Sequence, residues 1–208
     1  MDGLMGVVGK DFTIIATDKT QARSIMVFKQ DMDKTCNIDS HKVLGLGGPQ
    51  ADRKVFGEYC QKNLKLYSLR NGIELSNDAA AHWVRNQLAQ SLRSRSPYQV
   101  SVLMGGHDAE GPALYWMDYL GSIRKVGYGA HGISSNFCYA IMDKNWRKGM
   151  TRDEAKGLLL MCIKQLALRV IVSQPKWVFK IIDKDGIHEE EIDAPKARTF
   201  AIEEGAMQ

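Results

Sequence analysis

The chain has 208 residues, of which 44% are hydrophobic and 25% are charged. This length is sufficient for one domain with a substantial core, and the composition excludes a disordered, collagen-like or low-complexity protein. The net charge of +4 is too small and too evenly spread to predict nucleic-acid binding. No apolar run approaches the roughly 20 residues of a membrane-spanning helix, so we expect neither a nucleic-acid nor a membrane partner.

The termini and the cysteines indicate where the protein works. The first residues lack the basic flank and cleavage site of a secretory signal, so we expect the mature chain to begin at or near Met1. Four cysteines and five histidines are scattered without ligand spacing. They predict reduced, mostly buried thiols in an intracellular protein that holds no metal and no cofactor.

The first fifty residues predict two pairs of strands. Apolar and β-branched residues are concentrated in four short runs, and a turn candidate at Lys10-Asp11 joins the first two. The predicted strands are Leu4–Val8, Phe12–Thr17, Lys34–Ile38 and Val43–Gly47. Glycines in the last strand predict close approach by a neighbouring element. Residues 19–33 are mostly polar and predict a loop with one short strand.

Two helices are expected next. Apolar residues recur at helical spacing from Gly48-Pro49 as far as Asn71-Gly72. Proline suits the first helical position, because the backbone N–H that it lacks would have no acceptor within the helix there. Ser76 is a candidate N-cap for the second helix, which Pro97 would stop.

The chain then returns to strands before a second pair of helices. Tyr98–Met104 alternates in polarity, and Gly105–Asp108 is expected to be the turn that ends this strand. Leu114–Met117 predicts another strand. Ser134 or Ser135 is a candidate cap for a third helix.

The C-terminal part predicts a helix and a closing hairpin. Thr151 and Glu154 form the pattern of a capping box at a helix start, and Lys184-Asp185-Gly186 is a hairpin turn. Along the chain a group of predicted strands is followed by a group of helices, and this order occurs twice. The order favours an α+β fold of two antiparallel sheets with helix pairs outside. We expect one domain over residues 1–192 and a polar tail over 193–208.

One pair of ionisable residues could carry chemistry. Asp18 ends a buried-looking strand and Lys34 begins another. An aspartate beside a lysine in a half-buried place can prepare the lysine as a base, or it can be a plain structural ion pair. Spacing alone favours the ion pair. The sequence also lacks a phosphate loop and a Gly-x-Ser-x-Gly nucleophile motif.

Several stretches carry a more specific resemblance. Their order and spacing are similar to those of proteasome β subunits, from about residue 3 to residue 192. The stretches are Leu4–Asp18, Ile38–Gly48, Ser94–Val100, Leu103–Gly106, Tyr115–Gly121, Tyr128–Gly132 and Asp183–Ile187. The resemblance implies the N-terminal-nucleophile fold, a four-layer α-β-β-α sandwich, which agrees with the pattern of elements.

The resemblance also implies a catalytic apparatus that can be compared residue by residue. Active family members cut peptides with an N-terminal threonine whose free amine serves as base, and an aspartate and a lysine tune the site. Asp18 and Lys34 fall at those two positions and Ser173 at a distal serine position, whereas Val170 falls at a distal aspartate position. Asp2 falls at the nucleophile position. The chain is therefore expected to be no enzyme but a proteolytically silent member of a threonine protease family.

The resemblance implies a structural role at one ring position. The stretches after residue 94 match the non-catalytic beta-4 position of the 20S core particle. The expected partners are the beta-3 and beta-5 subunits of the same ring, the opposite β ring and the α ring, in cytoplasm and nucleus. Ile25, Met26 and Phe28 are interface candidates, because they are apolar residues in a polar loop. The resemblance places this loop near the adjacent chymotrypsin-like subunit.

Two other classes of function stay open from sequence alone. The chain could be an amidohydrolase that uses Thr13, Thr17 or a cysteine after processing, which N-terminal sequencing would reveal. It could also be a binding module outside any complex, which size-exclusion chromatography would reveal.

Overall fold

The computed structural model describes residues 2–195. These residues form twelve strands and four helices. The first six strands are β1 (Gly3–Val8), β2 (Thr13–Asp18), β3 (Gln21–Arg23), β4 (Met26–Lys29), β5 (Thr35–Asn37) and β6 (Lys42–Gly47). The other strands are β7 (Ser101–Asp108), β8 (Gly111–Met117), β9 (Ile123–Val126), β10 (Tyr128–Gly132), β11 (Lys176–Asp183) and β12 (Gly186–Asp193). The helices are α1 (Gln50–Asn71), α2 (Asn77–Ser91), α3 (Ile133–Asn145) and α4 (Arg152–Arg169).

Two five-stranded antiparallel sheets form the centre of the molecule. The first sheet has the order β10-β1-β2-β11-β12 and the second has the order β5-β6-β7-β8-β9. Helices α3 and α4 share a buried apolar cluster with the first sheet, and α1 and α2 share another with the second. The predicted four-layer α-β-β-α sandwich is therefore confirmed. The described part of the predicted tail is short, because β12 extends to Asp193 and residues 196–208 lie outside the described range.

The two sheets lie face to face over a small apolar cluster. It consists of Leu4, Ile15, Val43, Leu103, Leu114 and Ile182. Glycine permits this close approach, because a Cβ at Gly45 would lie 2.5 Å from Leu4 Cδ1 and 2.8 Å from Ile15 Cγ2. The sequence predicted close approach at this strand from its glycines, and the structure confirms it.

Local signals located most helix ends correctly. Ser76 caps α2 and accepts the N–H of Ala79 at 3.2 Å, and the capping box of Thr151 and Glu154 begins α4. Gly72 ends α1 in the left-handed region with φ 68°. Pro49 stands one position earlier than predicted, at the N-cap of α1.

Three local predictions are wrong. Gly105–Asp108 continues β7 to its end, because it pairs with β8 through Asp108↔Gly111. The N-cap of α3 is Gly132, with φ 65°, and neither Ser134 nor Ser135 caps it. A Cβ at Gly132 would lie 2.2 Å from the Asp2 carbonyl, so the chain needs glycine where it passes the N-terminal segment. The polar loop contains the hairpin β3–β4 rather than one strand.

The pattern of residues also gave no sign of β10. Its sequence is rich in glycine and lacks alternation, but it pairs with β1 from Gly3↔Gly132 to Val7↔Tyr128.

None of the helices in residues 2–195 is long and apolar enough to cross a membrane. The same residues contain no cluster of three or more His, Cys, Asp or Glu side chains arranged to hold a metal ion.

We expect His131 to make the chain less stable in mild acid. Its ring is buried between the sheets, stacks on Trp116 with centroids 4.7 Å apart and donates from Nε2 to the Val102 carbonyl at 3.2 Å. Burial lowers the pKa of His131 to about 4. Below about pH 6.5 the unfolded chain therefore binds a proton that the folded chain does not, so stability falls towards pH 4 by about 3 kcal/mol.

His131→Gln tests this expectation, because glutamine keeps an N–H donor and does not titrate. Urea unfolding between pH 7 and pH 4.5 should show a smaller loss of unfolding free energy for the variant than for the unchanged chain. An equal loss in both proteins would contradict the assignment.

Candidate functional site

The buried carboxylate of Asp18 stands at the end of β2. Its Oδ1 accepts the N–H of Gly3 at 2.7 Å and the Lys34 Nζ at 2.7 Å, and its Oδ2 accepts the N–H of Thr20 at 2.9 Å. The side chain of Asp18 is fully buried. The predicted neighbours Asp18 and Lys34 are therefore in direct contact, and the carboxylate also fixes the start of β1.

Lys34 directs its ammonium group at three acceptors. They are Asp18 Oδ1 at 2.7 Å, the Thr20 carbonyl at 2.7 Å and Asp2 Oδ1 at 2.9 Å. A lysine ammonium has three N–H donors, so each of them has a partner here. Three oxygen acceptors around one ammonium group give this arrangement the geometry of a structural ion pair.

Asp2 connects this cluster to helix α1, to the residue that follows β6 and to the start of α3. Its Oδ1 lies 3.0 Å from Arg53 Nη1, and its Oδ2 accepts the N–H of Gly48 at 2.9 Å. Its backbone carbonyl accepts the N–H of Ile133 at 3.0 Å. Two carboxylates, from Asp2 and Asp18, thus balance the cations of Lys34 and Arg53.

Burial and charge act in opposite directions on the two carboxyl groups. For Asp2, burial alone would raise the pKa, but Lys34, Arg53 and the Gly48 N–H together hold the pKa below its ordinary value. For Asp18, complete burial is the largest influence and raises the pKa in spite of Lys34 and the Gly3 N–H. The ionised form of Asp18 therefore depends strongly on the position of the Lys34 cation beside it.

Sequence reasoning missed Arg53, although the pattern contains a signal for it. Arg53, Phe56, Gly57, Cys60 and Leu64 form the buried stripe of α1. A lone arginine on such a stripe needs a buried acceptor, and Arg53 meets Asp2 and the Gln21 side chain, whose Oε1 accepts from Nη2 at 2.6 Å.

The structure does not bring the distal positions into the cluster. Ser173 is exposed in the segment between α4 and β11, and among the described residues no hydrogen bond joins its side chain to Asp18 or Lys34. Val170 ends α4 as its C-cap. Of the predicted site residues, Asp2, Asp18 and Lys34 form one cluster.

The candidate alternative nucleophiles are poorly placed for catalysis. Thr13 and Thr17 are fully buried in β2, which lies between β1 and β11, so processing that exposed either residue would remove β1 from the sheet. Cys36 borders a cavity of about 290 Å³ beside Lys34. Burial raises the pKa of its thiol to about 11, so the reactive thiolate is scarce at neutral pH.

The comparison with protein families decides where the chain belongs. The family model described as proteasome subunit matches residues 3–182. The chain belongs to the proteasome subunit family. The cluster of Asp2, Asp18 and Lys34 therefore stands on a proteasome-subunit sandwich, and the predicted family is confirmed.

Individual relatives place the chain among the β subunits of this family. It is 44% identical to proteasome subunit beta type-2 of Oryza sativa subsp. japonica over 190 residues, which cover 91% of this chain and 89% of the relative. It is 40% identical to proteasome subunit beta type-4 of Saccharomyces cerevisiae over 191 residues, or 91% and 96% of the two chains. Proteasome subunit beta type-2 of Dictyostelium discoideum is 37% identical over 200 residues, or 94% and 100%.

We expect Lys34→Met to destabilise the chain by about 3–5 kcal/mol, because the variant leaves the buried Asp18 carboxylate without its cation. Urea unfolding at pH 7 measures the change. Lys62→Met is the matched control, since Lys62 forms an exposed ion pair with Glu58 and its loss should change stability little. Similar values for the two variants would contradict the role of Lys34.

Proposed function

We propose that this chain is a non-catalytic structural β subunit of the 20S proteasome core particle, at the beta-4 ring position between the beta-3 and beta-5 subunits. In this role it contributes contacts to both neighbours, to the α ring and to the opposite β ring, in cytoplasm and nucleus. The ATP- and ubiquitin-dependent degradation of proteins is then carried out by neighbouring threonine-protease subunits. Family membership and the β-type relatives support this proposal.

The side chain of Asp2 is the observation that carries the non-catalytic assignment. At the position where the resemblance places a threonine hydroxyl, the chain has a carboxylate held by Lys34, Arg53 and the Gly48 N–H. A carboxylate so neutralised is a weak nucleophile, and the lysine beside it is held by three oxygen acceptors. Without the nucleophile, the remaining Asp18–Lys34 pair has no bond-breaking step to assist.

An exposed apolar hairpin supports a role in assembly. Ile25, Met26 and Phe28 on or beside β4 have 73%, 60% and 64% of their surfaces exposed. Within residues 2–195, β3 and β4 pair with each other and with no further strand. An isolated two-stranded hairpin is at best marginally stable in water. These interface candidates therefore suit a contact with an adjacent subunit, which is proposed to be the chymotrypsin-like one.

Covalent labelling of the native particle tests the non-catalytic assignment. A threonine-reactive inhibitor should leave the intact mass of this chain unchanged, because Asp2 offers it no hydroxyl. The catalytic subunits of the same sample serve as the positive control and should gain the inhibitor mass. An adduct on this chain, or its absence from the particle, would overturn the proposal.

Phe28→Ser tests the proposed contact of the hairpin. Loss of a buried phenylalanine contact weakens an interface by about 2 kcal/mol, so chymotrypsin-like hydrolysis by the particle should fall while its other peptidase activities stay unchanged. Lys29→Ser is the matched control on the same strand, because Lys29 is exposed and charged. Unchanged chymotrypsin-like activity in the Phe28 variant would remove the basis for this contact.

A further inference from the structure

The segment between α2 and β7 is exposed and has little backbone pairing. Residues 93–97 are all exposed. The N–H of Ser94 donates to the Ser91 carbonyl at 2.9 Å, and the N–H of Gln99 donates to Asp52 Oδ2 at 3.1 Å. Within the described part of the chain, the backbone between these two bonds forms no hydrogen bond. An enzyme can therefore bind this stretch in its own cleft without breaking hydrogen bonds of the fold.

The same segment contains a serine followed by proline. Of the five prolines in the sequence, Pro97 alone follows a serine or threonine, which is Ser96. Proline restricts the residue before it to extended backbone. It also lacks an N–H, so an enzyme pocket without an acceptor at that point accepts proline and rejects other residues, whose amide would be left buried and unpaired. The pair Ser96-Pro97 therefore has the features that a proline-directed kinase recognises.

Two arginines beside Ser96 have no acidic partner that a phosphate would have to displace. Among residues 2–195, the arginines that form ion pairs are Arg53, Arg147 and Arg152. Arg93 and Arg95 are exposed and are not among them. A phosphoserine carries a charge of about −1.5 to −2 and three acceptor oxygens, and arginine binds phosphate through paired N–H donors. The two guanidinium groups therefore suit a phosphate on Ser96.

The surface beside Ser96 has room and charge for the added group. Ser94, Ser96 and Pro97 border an open cavity of about 600 Å³ between the start of α1 and the end of α2. One carboxylate, that of Asp52, borders the same cavity. The two arginines of the segment outnumber it, so the local charge favours a phosphate here.

We propose that Ser96 is a phosphorylation site for a proline-directed serine/threonine kinase, and that Arg93 and Arg95 bind the resulting phosphate. In this reaction Ser96 Oγ forms a bond to the γ-phosphorus of ATP, while the bond from that phosphorus to the β–γ bridging oxygen breaks. ADP leaves with the electron pair, and the catalytic aspartate of the kinase takes up the hydroxyl proton. The modification changes the charge of the segment from about +2 to about zero.

A kinase reaction on the folded full-length chain tests the site. A purified proline-directed kinase with magnesium and ATP should add one phosphoryl group, which tandem mass spectrometry should locate on Ser96. Pro97→Ala keeps the hydroxyl but adds an amide that would be unpaired in the kinase pocket, so it should react at least about tenfold more slowly. Ser94→Ala is the matched control on the neighbouring exposed serine and should react like the unchanged chain. A phosphate on another residue, or an equal rate for Pro97→Ala, would overturn the site.

Phosphorus NMR of the phosphorylated chain tests the pairing with arginine. The second pKa of a phosphoserine is about 6, and neighbouring cations lower it because they favour the dianion. Arg93→Gln and Arg95→Gln should each raise the phosphate pKa by about 0.2–0.7, the range that corresponds to an exposed ion pair. Arg70→Gln, an exposed position in the last turn of α1, is the control and should leave the phosphate pKa unchanged. The same phosphate pKa in all four proteins would refute the role of the two arginines.

The chain isolated from its own cells with phosphatases inhibited shows whether the site is used. The peptide that contains Ser96 should carry a phosphoryl group in the unchanged chain and none in a Pro97→Ala chain expressed in the same cells. If this peptide is unmodified in the unchanged chain, the inference fails while the proposed structural role stands. If the chain is absent from the particle, the proposed function fails and the phosphorylation of Ser96 is judged by the kinase reaction alone.

Discussion

A buried lysine must have a partner for each of its N–H donors, and Lys34 finds its three partners on different parts of the chain. Asp18 ends β2, Asp2 precedes β1, and the Thr20 carbonyl follows β2. The backbone carbonyl of Lys34 accepts the N–H of Leu46 in β6, so the same residue also ties the two sheets together. The Lys34 ammonium group therefore helps to fix the position of the N-terminal segment, together with Arg53 and the N–H groups of Gly48 and Ile133.

The same cluster explains how a protease-like framework can persist in a subunit proposed to be silent. Asp18 and Lys34 stabilise the fold by their hydrogen bonds, which is a reason to keep them that needs no catalysis. Asp2 adds a second carboxylate and contacts Arg53, so that two carboxylates face two cations at the end of the sandwich. This arrangement provides charge balance between two carboxylates and two cations.

The function proposed here is carried by exposed surfaces and not by this buried cluster. The hairpin β3–β4 and the residue before β4 expose Ile25, Met26 and Phe28, and the outer side of α4 exposes Met161 and Leu168. Both features cost free energy in an isolated chain, because apolar surface remains in water. Burial against other subunits would recover that free energy, so the exposed surfaces are consistent with a protein that works only in an assembly.

The sequence by itself determined the features that depend on neighbouring residues: the capping box of α4, the Ser76 cap, the glycines of β6 and the order of clustered strands and helices. It also indicated Asp18 and Lys34 as a pair from their places at the ends of predicted strands, and the resemblance added the family role of the two positions. Only the tertiary structure decided that Arg53 joins them, that β10 pairs with β1, and that Ser173 stays outside. These outcomes depend on which segments meet across the sandwich, and local propensity and periodicity carry no information about contacts between residues so far apart along the chain.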